Sequence, residues 1–128
     1  MCWRVLYKET KHLIKKENKM KVKNGAVLAG LSIEMTVAMR IVDDICKKYN
    51  QESIISCGLN GVHMAGSLHY SGNALDFSIH HIPKDVLTTI LKELYISLQK
   101  ISINYGICLH STHLHVQFKP DWYSKVYK

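Results

Sequence analysis

The chain has 128 residues, of which 47% are hydrophobic and 21% charged, the balance of one ordinary globular domain. No apolar run approaches the ~20 residues of a membrane span, and residues 1–7 are too short for the apolar core of a secretion signal before Lys8, Lys11, Lys15 and Lys16 intervene. The net charge of +7 is concentrated in residues 1–24, which carry eight Lys/Arg against two Glu. The expectation is a cytoplasmic protein without a transmembrane segment, which would meet a target outside the cell only after release by another factor.

In chain order, residues 3–23 read as a short basic helix whose few apolar positions are Trp3, Leu6, Tyr7, Leu13 and Ile14. Asn24-Gly25 is a turn signal. It divides a basic N-terminal arm (1–24) from a main domain (25–128). The arm is either a solvated tail or a patch attracted to an anionic partner such as a cell wall, a membrane surface or nucleic acid. Ser32 then reads as an N-cap, and Met35, Ala38, Met39, Val42, Ile45, Cys46 and Tyr49 recur at helical spacing until Asn50. Residues 53–57 form a short apolar strand. Residues 58–71, with Gly58, Gly61 and Gly66 inside them and Gly72 just after, read as an irregular loop.

Residues 73–79 alternate as a strand does, with Leu75, Phe77 and Ile79 on one face and Ala74, Asp76 and Ser78 on the other. Pro83 opens a second helix whose apolar face is Val86, Leu87, Ile90, Leu91, Leu94 and Leu98. Two strands, Tyr105–Leu109 and His113–Phe118, close the domain before Pro120. The expected fold class is α+β, a small antiparallel sheet with the helices packed on one side. Cys2, Cys46, Cys57 and Cys108 form no Cys-x-x-Cys pair, so they are expected to be free, buried or semi-buried thiols rather than a disulfide framework. Cysteine ligation of a metal is the lesser alternative, because no two lie close in sequence.

The chemistry is concentrated in His69, Asp76, His110, His113 and His115. On the last strand Leu114, Val116 and Phe118 alternate with His113, His115 and Gln117, which sends the apolar set to the core and both histidines to the opposite face. Asp76 occupies the same polar face of its own strand. Imidazole and carboxylate are zinc ligands, and a catalytic zinc takes three of them and leaves a position for water. Taken alone, a His-x-His strand is usually an exposed or hydrogen-bonded pair, and Gly66 and Gly72 could be simple turn glycines. His-x6-Asp followed by His-x2-His-x-His is a far less common combination.

The segment Ser67-Leu68-His69-Tyr70-Ser71-Gly72-Asn73-Ala74-Leu75-Asp76-Phe77 resembles the S-x-H-x-x-G-x-A-x-D motif of the zinc D-Ala-D-Ala carboxypeptidase and endolysin family, whose metal site the hedgehog signalling domain shares. His113-Leu114-His115-Val116-Gln117-Phe118 resembles that family's closing strand. The likeness spans roughly residues 31–120, and the short chain is similar to small versions carried by bacteriophages.

The resemblance implies a zinc-peptidase domain with His69, Asp76 and His115 as ligands and His113 beside the metal in contact with substrate or a ligand. Spacing alone does not choose between His113 and His115. Where many members have Glu, this chain has His110. One bacterial branch of the carboxypeptidases shares that His-x-x-His-x-His pattern, with the first His taken as catalytic. Exopeptidase members also carry an upstream Arg for the substrate carboxylate. Residues 54–68 hold no Lys or Arg, which leaves His63 as the nearby candidate cation and favours an endopeptidase. Ser67 joins His63 and His113 as an expected substrate contact.

The implied function is zinc-dependent hydrolysis of an amide bond in peptidoglycan stem peptides, either as a D-Ala-D-Ala carboxypeptidase or as an L-Ala-D-Glu-type endopeptidase. The protein would then be a phage-type hydrolase that degrades the cell wall, with no nucleic-acid partner. Two alternatives stand beside it. One is a zinc-binding module without catalysis. The other is a nickase acting on single-stranded DNA through the His113-Leu114-His115 pair and Tyr123 or Tyr127, a reading that leaves His69 and Asp76 unexplained.

Overall fold

A computed structural model of the chain describes residues 19–126. Most of the expected basic arm and its helix, with Cys2 and Tyr127, lie outside the described residues. The elements in order are β1 (Lys21–Val22), α1 (Ile33–Lys48), β2 (Ile54–Cys57), β3 (Ala74–Ser78), α2 (Lys84–Ile101), β4 (Tyr105–Leu109), β5 (His113–Phe118) and α3 (Tyr123–Val126). They make an α+β domain built on a five-stranded sheet of order β1-β2-β3-β5-β4.

The sheet is mixed, which corrects the expected all-antiparallel arrangement. β1 runs parallel to β2, while the other three pairings are antiparallel. Its two residues fall in the stretch read from sequence as basic arm and helix. They are strand because the Lys21 and Lys23 N–H groups find the Ser53 and Ile55 carbonyls of the β2 edge, both at 2.9 Å.

Helix α1 starts where the Ser32 hydroxyl accepts the Met35 N–H at 3.2 Å, satisfying one of the orphan donors of the first turn. Lys47 and Lys48 sit in its last turn, where positive side chains complement the helix dipole. Helix α2 has Pro83 at its N-cap and ends at Ser102. Met35, Ala38, Val42, Ile45 and Cys46 from α1 and Ile90, Leu94 and Leu98 from α2 share one core with Ile55, Leu75, Phe77, Leu114 and Val116 of the sheet. The apolar side of β3 and β5 therefore faces the helices, and the alternate side chains face away from them. Tyr105 ties β4 to α1 by donating to the Glu34 carbonyl at 2.6 Å. Glu93 of α2 accepts from both Tyr49 and Lys48 at the end of α1.

One irregularity shapes the face away from α1 and α2. Ile55 pairs with Phe77 but Cys57 pairs with Asp76, so two steps along β2 match a single step along β3. This β-bulge re-aims the strand. Ile55 is in the helical core while Cys57, two residues on, sits beside Asp76 rather than under the helices.

Cys46, Cys57 and Cys108 are free thiols. Cys108 is exposed rather than buried, because it lies opposite His115 on the outermost strand β4. Among the described residues, no helix is long and apolar enough to cross a membrane.

Candidate metal centre

The β3–β5 register sets two of the key residues directly opposite each other, Asp76 against His115, and places Ser78 against His113. His69 arrives from the loop between β2 and β3. That loop is built of successive turns: Ser67 N–H to the Met64 carbonyl, Tyr70 N–H to the Ser67 carbonyl, and Gly72 N–H to the His69 carbonyl. The Ser67 hydroxyl accepts the His69 backbone N–H at 3.2 Å. Gly72 has φ +74°, and a Cβ there would lie 2.1 Å from the Gly30 carbonyl oxygen. Glycine is required on both counts. The outcome is a histidine only 3% exposed, above an aspartate 7% exposed.

His69 Nε2 stands 3.3 Å from Asp76 Oδ1, and His115 Nδ1 stands 3.0 Å from the same oxygen. The far nitrogen of each ring is also engaged. His69 Nδ1–H donates to the Gly58 carbonyl at 2.8 Å, and His115 Nε2–H donates to the Gln117 side-chain carbonyl at 3.0 Å. Those outer bonds hold each ring with its other nitrogen facing Asp76, where it donates to the carboxylate when protonated and offers a lone pair to a cation when not.

Burial would raise the Asp76 carboxyl, but hydrogen bonds from His115 and His69, with positive charge at His69 and His113, outweigh it and hold the group well below the usual carboxylate range. Burial likewise favours neutral His115. Its bonds to Asp76 and Gln117 overcome that and raise its pKa. An electron-rich cluster so drawn together in a buried place is held by protons or by a cation. His69, Asp76 and His115 are positioned to bind a metal ion, their ligand atoms all within 4.8 Å of one another.

A cavity of about 590 Å³ opens in front of the three residues, and His63, Ser67, His110, His113, Lys119 and Tyr123 are among those lining it. His113 Nε2 lies 3.8 Å from Asp76 Oδ2, its Nδ1 2.9 Å from the Thr112 hydroxyl. His110 is exposed at the β4–β5 hairpin, its ring stacked on that of His113 at 4.6 Å. Ser67 spends its hydroxyl on the loop, and His63 packs flat against His69 at 4.2 Å with Nε2 2.9 Å from the Asn60 carbonyl.

Three features of the site go beyond the residues singled out from sequence. Gln117 was visible as a member of the polar set on β5, but its bond to His115 was not. The Gly58 carbonyl carries no sequence signal at all. Lys119 is a cation that reading upstream of the first motif does not reach. It lies downstream, one residue past the strand, and among the described residues it is the cavity's one Lys or Arg. Its amine is 5.3 Å from the Tyr123 ring centre. Comparison of the chain with protein-family models, with curated proteins and with solved structures finds no match.

Proposed function

We propose that the chain is a zinc-dependent hydrolase that cleaves an amide bond in peptidoglycan stem peptides. The observation that carries this reading is the convergence of His69 Nε2, Asp76 Oδ1 and His115 Nδ1 on one point beside an open cavity. A tetrahedral zinc with nitrogen and oxygen bonds of roughly 2.0–2.2 Å sets neighbouring ligand atoms about 3.4 Å apart. The separations of 3.3 and 3.0 Å fit such a site with little movement. The N,N,O donor set and the carbonyl-anchored rings fit it too.

When bound, zinc supplies a Lewis acid that polarises the scissile carbonyl and acidifies water. The protein's own groups do the rest. His69 and His115 keep their outer protons on Gly58 and Gln117, so their orientation survives turnover. His110, exposed at the cavity edge, exchanges a proton with the reacting centre and returns it to the leaving amine. His113 holds its place between Thr112 and Asp76 and offers a ring to the substrate. Lys119 is the group available to a substrate carboxylate.

The test is cleavage of purified peptidoglycan by the full chain. His69→Ala and Asp76→Ala should lose the zinc of this site and, with it, cleavage. Normal cleavage by either variant would refute the assignment. His110→Ala should keep zinc and lose at least about 100-fold in turnover, the usual scale of general acid–base help. Unchanged function in that variant would favour a binding module.

A second reading has one observation in its favour: Tyr123 on α3 lines the same cavity as His113 and His115. A nickase would join covalently to single-stranded DNA through that tyrosine. The peptidase reading requires that DNA be left untouched.

A further inference from the structure

The bulge in β2 that turns Cys57 toward Asp76 creates a second cluster of metal ligands. One ligand atom from each of Cys57, His63 and His69 lies within 4.8 Å of the other two. Cys57 Sγ is 3.6 Å from His63 Nε2. A tetrahedral ion bound through sulfur at ~2.3 Å and nitrogen at ~2.05 Å places those two atoms about 3.5 Å apart. This pair therefore already has the spacing of two ligands of one ion.

The His63 backbone is clamped, its N–H donating to the Tyr70 hydroxyl at 2.6 Å and its carbonyl accepting from that hydroxyl at 3.0 Å. Among the described residues its ring is engaged by the Asn60 carbonyl, Cys57 and the faces of His69 and Tyr70, so it can turn while the main chain stays put.

His69 belongs to both clusters, and this sharing has a chemical consequence. Its ring stacks on that of His63 with planes 10° apart. Lone pairs lie in the ring plane, so parallel rings do not aim at a common ion until one of them rotates. A cation seated on Cys57 and His63 thus recruits His69 only by turning it. That movement breaks the Gly58 hydrogen bond or takes Nε2 from Asp76. Either way, the first group loses a properly oriented ligand. The S,N,N donor set selects thiophilic ions such as Zn²⁺ in excess or Cd²⁺, whereas the first group offers N,N,O.

We propose that Cys57 and His63 form a second cation site, for a thiophilic divalent ion, that competes with the first site for His69 and so makes excess metal inhibitory. Binding converts the Cys57 thiol to thiolate, with the proton released to solvent and no change of oxidation state. The part of the proposal that concerns competition rests on the zinc reading of His69, Asp76 and His115.

The experiment is a titration of the full chain with Co²⁺, followed by bound metal per chain and by the thiolate-to-cobalt absorption band. Circular dichroism checks that each variant is folded. The wild type should bind a first equivalent without the band and a second with it, and the second should loosen the first, an effect absent from Cys57→Ser. Cys57→Ser should bind the first alone and show no band, which also excludes Cys108 as its source. His63→Ala should weaken the second equivalent at least tenfold. His115→Ala should lose the first equivalent and keep the band.

If the wild type binds one cobalt and shows no thiolate band at any excess, the second site is overturned while the first stands. A Cys57→Ser variant matching the wild type in stoichiometry and spectrum overturns it as well. If His115→Ala keeps both equivalents, the second site stands and the zinc reading of the first fails.

Discussion

Gln117 shows how much a residue outside the ligand set can matter. By accepting the His115 Nε2 proton, it decides which nitrogen faces Asp76. Gln117→Leu keeps the packing volume and removes the acceptor, so zinc affinity should fall by about 10–100-fold with the melting temperature of the metal-free protein nearly unchanged. Competition against a chelator of known affinity measures this. Gly72 is critical for a different reason. Alanine there meets the Gly30 carbonyl while holding a positive φ, and should cost at least about 2 kcal/mol of stability in denaturant unfolding.

Cys46 gives a pH prediction. Burial, with a further contribution from the Asp43 charge, pushes its thiol from an ordinary 9.0 to about 11. The folded state therefore holds that proton where the unfolded state has released it. The contribution is intact below pH ~9 and is lost as pH rises toward ~11, by up to roughly 2–3 kcal/mol. Cys46→Ala should show a smaller fall of melting temperature across that window than the wild type. An equal fall would mean that other groups govern it.

At the scale of elements, periodicity carried most of the legible information. The spacing of Met35, Ala38, Val42 and Ile45 marks α1, the alternation along 113–118 marks β5, and the same alternation puts His113 and His115 on the face away from α1 and α2. A two-residue strand has no period, so β1 is hidden within the basic arm, and the four residues of α3 are too few to show one. The bulge in β2 was invisible because strict alternation assigns Cys57 to the same face as Ile55. Its second, inserted residue moves Cys57 to the site face instead.

The position of His69 depends on loop turns rather than on any strand pattern, so its signals in the sequence are the spacing to Asp76 and the motif resemblance. For the same reason nothing in the sequence linked Gly58 to its ring. Shortening Leu94, wholly buried between α2 and the sheet, to alanine should cost about 2–5 kcal/mol without changing zinc content. That outcome would show that the centre is carried by the sheet and loop once the domain is folded.

For the molecule as a whole, α1 and α2 cover one face of the sheet and the candidate metal centre lies on the other. Two of the three residues that would hold the ion, His69 and Asp76, come from a loop and the strand after it, and His115 from a strand far on in the chain, so an ion bound there ties them together and favours the folded chain. Free zinc at 100 times its dissociation constant should add about 2.7 kcal/mol of stability, seen as a rise in melting temperature that chelation reverses.

The most direct test of the central claim is zinc content per chain by elemental analysis after reconstitution, with and without His115→Ala or His113→Ala. On a Cys57→Ser background, which removes the second site, one zinc is expected in the parent and with His113→Ala, and none with His115→Ala. Zinc retained with His115→Ala and lost with His113→Ala, or no zinc in the parent even after it is supplied, would contradict that claim.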